Sequence, residues 1–293
     1  MAIAQHLARL QHHPAAWNDW RVQYPQVQPD LTDAHLVGRY LAGVNLAGVT
    51  LSHADLSHAN LQQANLERAV LSNARLPFAN LTDAQLQEAE LVAADLFAAT
   101  LAGADLENAN LIGADLRQTN LSGAQLRQAN LIGTNLFRAN LKQADLSLAQ
   151  LEQARLNQAM LFGALLNQTN LSKAILHEAE CGGAYCHQTN LQQASLQGAH
   201  FVGAHLFEAD LSGADLSSAD FRWARFYRVN LQGAKLSQTC FRGAWMSQVN
   251  LTGTYLRGSD WSEVTWRKTD LSGAIAPDDI LDQARSPDAD DFK

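Results

Sequence analysis

Residues 89–116 read AELVAADLFAATLAGADLENANLIGADL, and leucine returns in them at every fifth position, from Leu91 to Leu116. Two residues before each leucine stands an alanine, as at Ala94, Ala104 and Ala114, and the residue between is mostly Asp or Asn. Working outward, leucine keeps this spacing without a slip from Leu31 to Leu176, then the register runs on to Leu271 with nine substitutions at the leucine position. That position is termed the centre of each repeat. A fixed period decides the architecture before local propensity does.

On an α-helix a five-residue step turns about 140° beyond a full circle, so successive leucines would spiral around the cylinder and form no buried stripe. On one continuous strand a step of five is odd, which would turn alternate leucines to opposite faces. The pattern works if each repeat is a short extended piece, with the small residue and the leucine facing inward, followed by a bend. Repeated bends coil the chain around a leucine-filled axis.

The irregular residues set the number of sides. Phe201, Phe221, Phe241 and Trp261 recur every twenty residues, as do Phe226, Met246 and Trp266, and outside the centres Val92, Ile112 and Ile132. Gly213, Gly233, Gly253 and Gly273 share that spacing at a position where a corner uses positive φ. Four repeats per coil place each set in one column. The 49 centres then predict an all-β solenoid, a quadrilateral β-helix of about twelve coils over residues 30–276.

Tandem segments such as Ala54-Asp55-Leu56, Ala104-Asp105-Leu106 and Ala214-Asp215-Leu216 resemble the pentapeptide-repeat family, whose consensus is A(D/N)LXX. The resemblance implies a right-handed coil. It also implies two roles known among family members: regulation through protein partners, and mimicry of DNA at a type II topoisomerase such as gyrase.

Exposed end coils would leave unpaired backbone and bare leucines, so a solenoid needs caps. Residues 1–29 are read as the N-terminal cap, a short helix from Ile3 to about His13 followed by a lead-in whose Trp17, Trp20, Val22 and Tyr24 cover the first coil. The wording WNDWR then PDL resembles the lead-in of family members. Residues 277–293 are read as a C-terminal cap, one or two helical turns over Asp278 to Arg285 and a disordered acidic tail.

Aromatic centres near the C-terminal end are read as stacked core. Cys181 and Cys186 also occupy centres on neighbouring sides, Cys181 beneath Phe201, and with Cys240 they are read as reduced thiols. The segment 180–187, with Gly182 and Gly183, is expected to be a slight irregularity without an inserted loop.

The formal net charge of −8 argues against a general nucleic-acid binder. Between Leu31 and Ala276 there are 21 acidic and 17 basic residues, a near-balanced −4, whereas a DNA mimic needs acidic faces throughout. The N-terminal stretch is too polar for a signal peptide and no apolar run reaches membrane-spanning length, so the expected compartment is the cytoplasm, without membrane insertion.

The chain contains none of the nucleophile-elbow, phosphate-loop, zinc-protease or dinucleotide motifs. Its Asp and Asn residues recur everywhere before the centres and serve local hydrogen bonding. The expectation is a protein that is no enzyme, with no catalytic residue, cofactor or metal.

Two outward apolar groups are candidate interaction surfaces. The first is Val92, Phe97, Ile112, Ile132 and Phe137, extended by Pro77 and Phe78. The second is Leu148, Met160, Phe162, Leu165 and Ile175. A further column of Tyr185, His205, Arg225 and Trp245 admits a cation–π ladder or plain surface packing. The function expected is a noncatalytic protein-binding scaffold or regulator, working as a monomer or homodimer with a protein partner.

Overall fold

A computed structural model describes residues 3–275, which cluster into two compact units dividing between Gln150 and Leu151. Two short helices open the first unit, α1 (Ala4–His12) and α2 (Pro14–Gln23). Everything after them is coil built from short extended pieces. The predicted C-terminal helix and acidic tail, 277–293, lie outside the described residues.

In the first unit the repeat supplies a nearly complete account of its own backbone. Around the centre Leu96, Leu96 N–H donates to Asp115 O in the next coil at 2.8 Å, Ala98 N–H to Arg117 O at 2.9 Å, and Thr100 N–H to Ala79 O in the preceding coil at 2.9 Å. Ala99 N–H closes a turn onto Leu96 O at 3.0 Å, and Phe97 N–H donates to Asp95 Oδ1 at 3.1 Å. All five N–H groups are thereby satisfied. Where Asp or Asn precedes the centre, its side chain takes the one donor that neither the turn nor the neighbouring coils can reach.

Parallel bridges in this unit join residues twenty apart, from Asp30 with Thr50 to Asn130 with Gln150, so one revolution is four repeats. Four faces follow in chain order, with centres Leu31, Leu36, Leu41 and Leu46 in the first coil. The leucine centres of this unit, and the alanines that stand two residues before most of them, are buried to within a few per cent of full coverage, each leucine contributing roughly 1.5–3 kcal/mol on the transfer scale. The last residue of each turn is left-handed. Glycine takes that place in many repeats, but so do Gln, Asn, Asp and even Leu148 (φ 65°).

The cap differs from the predicted single helix with an extended lead-in, because Trp17 and Trp20 lie on a second helix. His13 is its N-cap, its Nδ1 accepting from Ala15 N–H, and Pro14 opens the first turn. The helix presents side chains where a lower coil would present backbone. Asn18 Oδ1 accepts from Asn45 N–H, Trp17 Nε1–H donates to Asn45 O, and Arg21 Nη2 donates to Ala47 O, each at 2.7 Å. Trp17 is fully buried, whereas Val22 falls on the opposite side of the helix and is 80% exposed. Tyr24 is the C-cap residue and is also exposed, so neither covers the coil as predicted.

The second unit repeats the code, with bridges twenty apart from Arg155 with Ile175 to Tyr255 with Ile275, and its four faces start from Leu151, Leu156, Leu161 and Leu166. Its fourth face is different. Here the bridges lengthen into a parallel four-stranded sheet, β1 (His205–Phe207), β2 (Arg225–Tyr227), β3 (Trp245–Ser247) and β4 (Thr265–Arg267), in the register His205–Arg225–Trp245–Thr265. Among the described residues, Ala209, Val229 and Val249 make no turn bond back to Leu206, Phe226 and Met246, so each corner opens while Glu208 and Gln248 N–H still donate to the next coil at 2.7 Å.

Large side chains fill the interior behind this sheet. Phe201, Phe221, Phe241 and Trp261 stack in one column with ring centroids 5.0, 5.6 and 4.3 Å apart, as the aromatic periodicity predicts. Phe226 packs against both Phe221 and Phe241 from the adjoining face. Cys181 and Cys186 are fully buried, and burial raises both thiols, Cys186 to about 12. At 180–187 the register is unbroken, and Gly182 makes room for Phe162, whose ring would lie 2.9 Å from an added Cβ.

Candidate interaction surfaces

Outward side chains come from the residues on either side of each centre, so the ladder sets their spacing. In the first unit Val92, Ile112 and Ile132 follow their centres on the first face, one coil apart, while Phe97 and Phe137 follow theirs on the second. All are half-buried except Ile112, which is 37% exposed. The structure therefore brings this group onto two adjoining faces of one unit.

Its second-face column is not bare. Phe78 meets Phe97 edge-on at 5.6 Å, and His58 stacks on Phe78 at 5.0 Å. Arg117 stands between Phe97 and Phe137, its guanidinium 5.4 Å from the Phe97 ring and doubly hydrogen-bonded to Asp115 at 2.6 and 2.8 Å. That pairing raises the Arg117 pKa; the Asp115 carboxyl is opposed by burial yet ends below its usual range through its bonds to Arg117. Arg138 covers Phe137 at 5.0 Å. The column alternates rings with fixed cations.

The second group is divided between the two units. Leu148 belongs to the first unit. In the second unit Met160 and Phe162 flank Leu161 on the third face, Leu165 precedes a fourth-face centre, and Ile175 precedes a second-face centre opposite Arg155. These four residues stand on three faces.

A surface that sequence reasoning missed lies on the second unit, where the third-face corner runs into the fourth-face sheet. Phe207, Trp223, Arg225, Tyr227, Gly243 and Trp245 line an open groove of about 760 Å³. Trp223 is 58% exposed and lies over Gly243, where an added Cβ would come within 2.3 Å of its indole. Tyr227 and Trp245 are parallel to within 14° at 6.4 Å, and Phe207 meets Tyr227 edge-on.

Of the column of Tyr185, His205, Arg225 and Trp245, the last two line this groove. Tyr185 and His205 stack at 4.9 Å, and burial, then the nearby Arg225 charge, lowers the His205 pKa. The contact is ring on ring; the cation–π pair at the groove is Arg228 over Tyr227, at 5.0 Å. The groove was hidden because its six residues come from three different positions of the repeat on three successive coils.

Among the described residues no group of three or more His, Cys, Asp or Glu side chains converges as a metal site would, and no helix is long and apolar enough to cross a membrane.

The family profile for pentapeptide repeats matches overlapping stretches from residue 30 to residue 276. No curated protein gives a significant match. Among solved structures, HetL, a pentapeptide repeat protein involved in heterocyst differentiation regulation from Nostoc sp. strain PCC 7120, is 29% identical, covering 89% of this chain and 97% of its own, with a TM-score of 0.35. A pentapeptide repeat protein from the Arabidopsis thaliana thylakoid lumen is 35% identical over 31% of this chain and 63% of its own, with a TM-score of 0.31. QnrB1, a plasmid-mediated fluoroquinolone resistance protein, is 21% identical over 67% and 87%, with a TM-score of 0.41. The repeat that builds both units is thus the one the profile describes, and the chain belongs to the pentapeptide-repeat family.

Proposed function

We propose that this chain is a noncatalytic scaffold or regulator that presents fixed arrays of outward side chains to a protein partner, in the cytoplasm, with both units wound in the right-handed sense known for the family. The observation that carries this reading is the register. Outward residues repeat at twenty on a backbone whose successive coils are tied by ladder hydrogen bonds, so surface rings and cations hold their spacing without a partner. Such preorganisation lowers the ordering cost of binding.

The first group, Val92, Phe97, Ile112, Ile132 and Phe137, is the proposed contact of the first unit. Full-length protein used as bait in extract of the native cell should retain a partner that the five-alanine version loses. Unchanged capture removes this group from the account. Molar mass by light scattering separates a second copy of the chain from a different protein.

The DNA-mimic alternative draws no support from the surface charge. Residues 221–275 carry eight basic and three acidic side chains, the reverse of what a polyanion mimic presents. An absence of effect in a gyrase supercoiling assay at high micromolar protein is the expected result.

A further inference from the structure

We infer that the aromatic groove of the second unit binds an extended peptide segment of a partner protein in which an aromatic residue stands next to an acidic one. The inference rests on the scaffold reading above and gives that reading a second site with a stated ligand chemistry.

The walls dictate the apolar part of the ligand. Phe207, Trp223, Tyr227 and Trp245 offer four rings, and the strands β1 to β3 behind them are locked to one another by parallel pairing. Trp223 sits at the left-handed corner position (φ 60°), where a side chain projects from the coil, and it lies flat over Gly243 with more than half of its surface in solvent. Large rings held open to water form the kind of anchor that dominates protein interfaces.

Arg225 dictates the charge. Its neighbours are already neutralised: Arg222 by Asp220 at 2.6 Å, Arg228 by Glu208 at 3.3 Å and Arg242 by Asp260 at 3.2 Å. Arg225 is exposed in the midst of the rings and has no carboxylate partner among the described residues. The groove therefore calls for one anionic group placed against aromatic surface, and a guanidinium receives a carboxylate through two parallel hydrogen bonds.

Other ligand classes fit less well. Single-stranded nucleic acid also stacks on rings, but it presents a phosphate at every nucleotide and needs a track of unpaired cations, where this groove offers one. A sugar needs acceptors as well as donors around its hydroxyls, and the lining's polar side-chain groups, Arg225, the Tyr227 hydroxyl and the Trp223 and Trp245 indole N–H groups, include one acceptor, the Tyr227 oxygen. A small free ligand would be covered on one side only, since the groove is an open channel, and small-molecule sites bury most of their ligand. An extended peptide gains from an open channel because its other residues run out along the surface.

The test uses the full-length protein and three fluorescein-labelled probes: the octapeptide SEFESEFE, octaglutamate, and an eight-nucleotide oligothymidylate. Saturable anisotropy is expected for the first, with at least tenfold weaker binding for the other two. Trp245→Ala and, separately, the surface change Arg225→Gln should each weaken the first probe at least tenfold while leaving the circular dichroism spectrum unchanged. Lack of saturation by 1 mM overturns the inference. So does equal binding by Arg225→Gln, or tighter binding of oligothymidylate. If the octapeptide fails while the bait still captures its partner, the groove assignment alone falls; if neither binds, the scaffold reading falls and takes the groove with it.

Discussion

The first unit and the aromatic end of the second obey the same five-residue code and use it differently. In the first, each centre is leucine, each corner closes with a turn bond, and each wall is touched by its neighbours through single bridges. In the second, phenylalanine, methionine and tryptophan replace leucine on two adjoining walls, the corners of one wall open, and three-residue strands appear there. Outside those strands lies the groove. The contrast shows that the backbone code tolerates a change of interior bulk, and that the change surfaces as a different wall on the outside.

The largest effect that probes this contrast is truncation of matched third-face centres. Phe221→Ala should cost about 3–5 kcal/mol, since its ring stacks on Phe201 and Phe241 and touches Phe226, while Leu101→Ala in the first unit should cost about 2–4 kcal/mol. Urea denaturation measures both. A cost for Leu101→Ala equal to or above that for Phe221→Ala would erase the distinction between the two interiors.

A smaller effect compares two corners. Gly113 and Gly243 are both left-handed, but a Cβ at Gly113 meets open space and one at Gly243 meets the Trp223 indole. Gly113→Ala should cost about 1 kcal/mol through backbone strain alone, and Gly243→Ala roughly twice that, with a shift in tryptophan emission as the indole is displaced. Equal costs with unchanged emission would mean that the groove wall is soft.

The smallest expected effect is one the units share. Asp55 in the first and Asp260 in the second are held below the usual carboxylate range, foremost by hydrogen bonds from the Ser57 and Ser262 hydroxyls. Their folded pKa lies under the unfolded value of about 3.9, so this stabilisation is complete above about pH 4 and is lost as pH falls through the folded value. Asp55→Asn keeps the acceptor for Ser57 N–H and removes the titration, so its denaturation midpoint should fall less between pH 5 and pH 2.5 than the parent's. A parallel loss in both proteins would assign acid sensitivity elsewhere.

What the sequence made legible was whatever repeats. The inward leucines, the four-sided turn, the aromatic stack at Phe201 to Trp261 and the local role of Asp and Asn all follow from period and position. What it concealed was whatever happens once. The helix α2 starts on His13, a residue outside the usual capping set, and the following Pro14 reads equally as a break. The open corners after Leu206, Phe226 and Met246 have no marker in the repeat, because Ala209, Val229 and Val249 are the ordinary small residues of that position. Trp223 and Trp245 stand twenty-two residues apart, which is neither a repeat nor a coil, and only folding sets them in one groove. The second apolar group shows the converse: closeness in the chain, from Met160 to Ile175, distributes side chains over three walls.

The helical cap carries an evolutionary consequence. The hydrogen bonds of Asn18, Trp17 and Arg21 to the coil go to Gly43, Asn45 and Ala47, backbone groups that any coil would offer at those positions. Nothing in that contact registers how many turns lie beyond. Gain or loss of a twenty-residue cassette inside the first unit, such as 72–91, leaves the lid and its seat unaltered, so duplication can lengthen the molecule while its starting end is inherited intact.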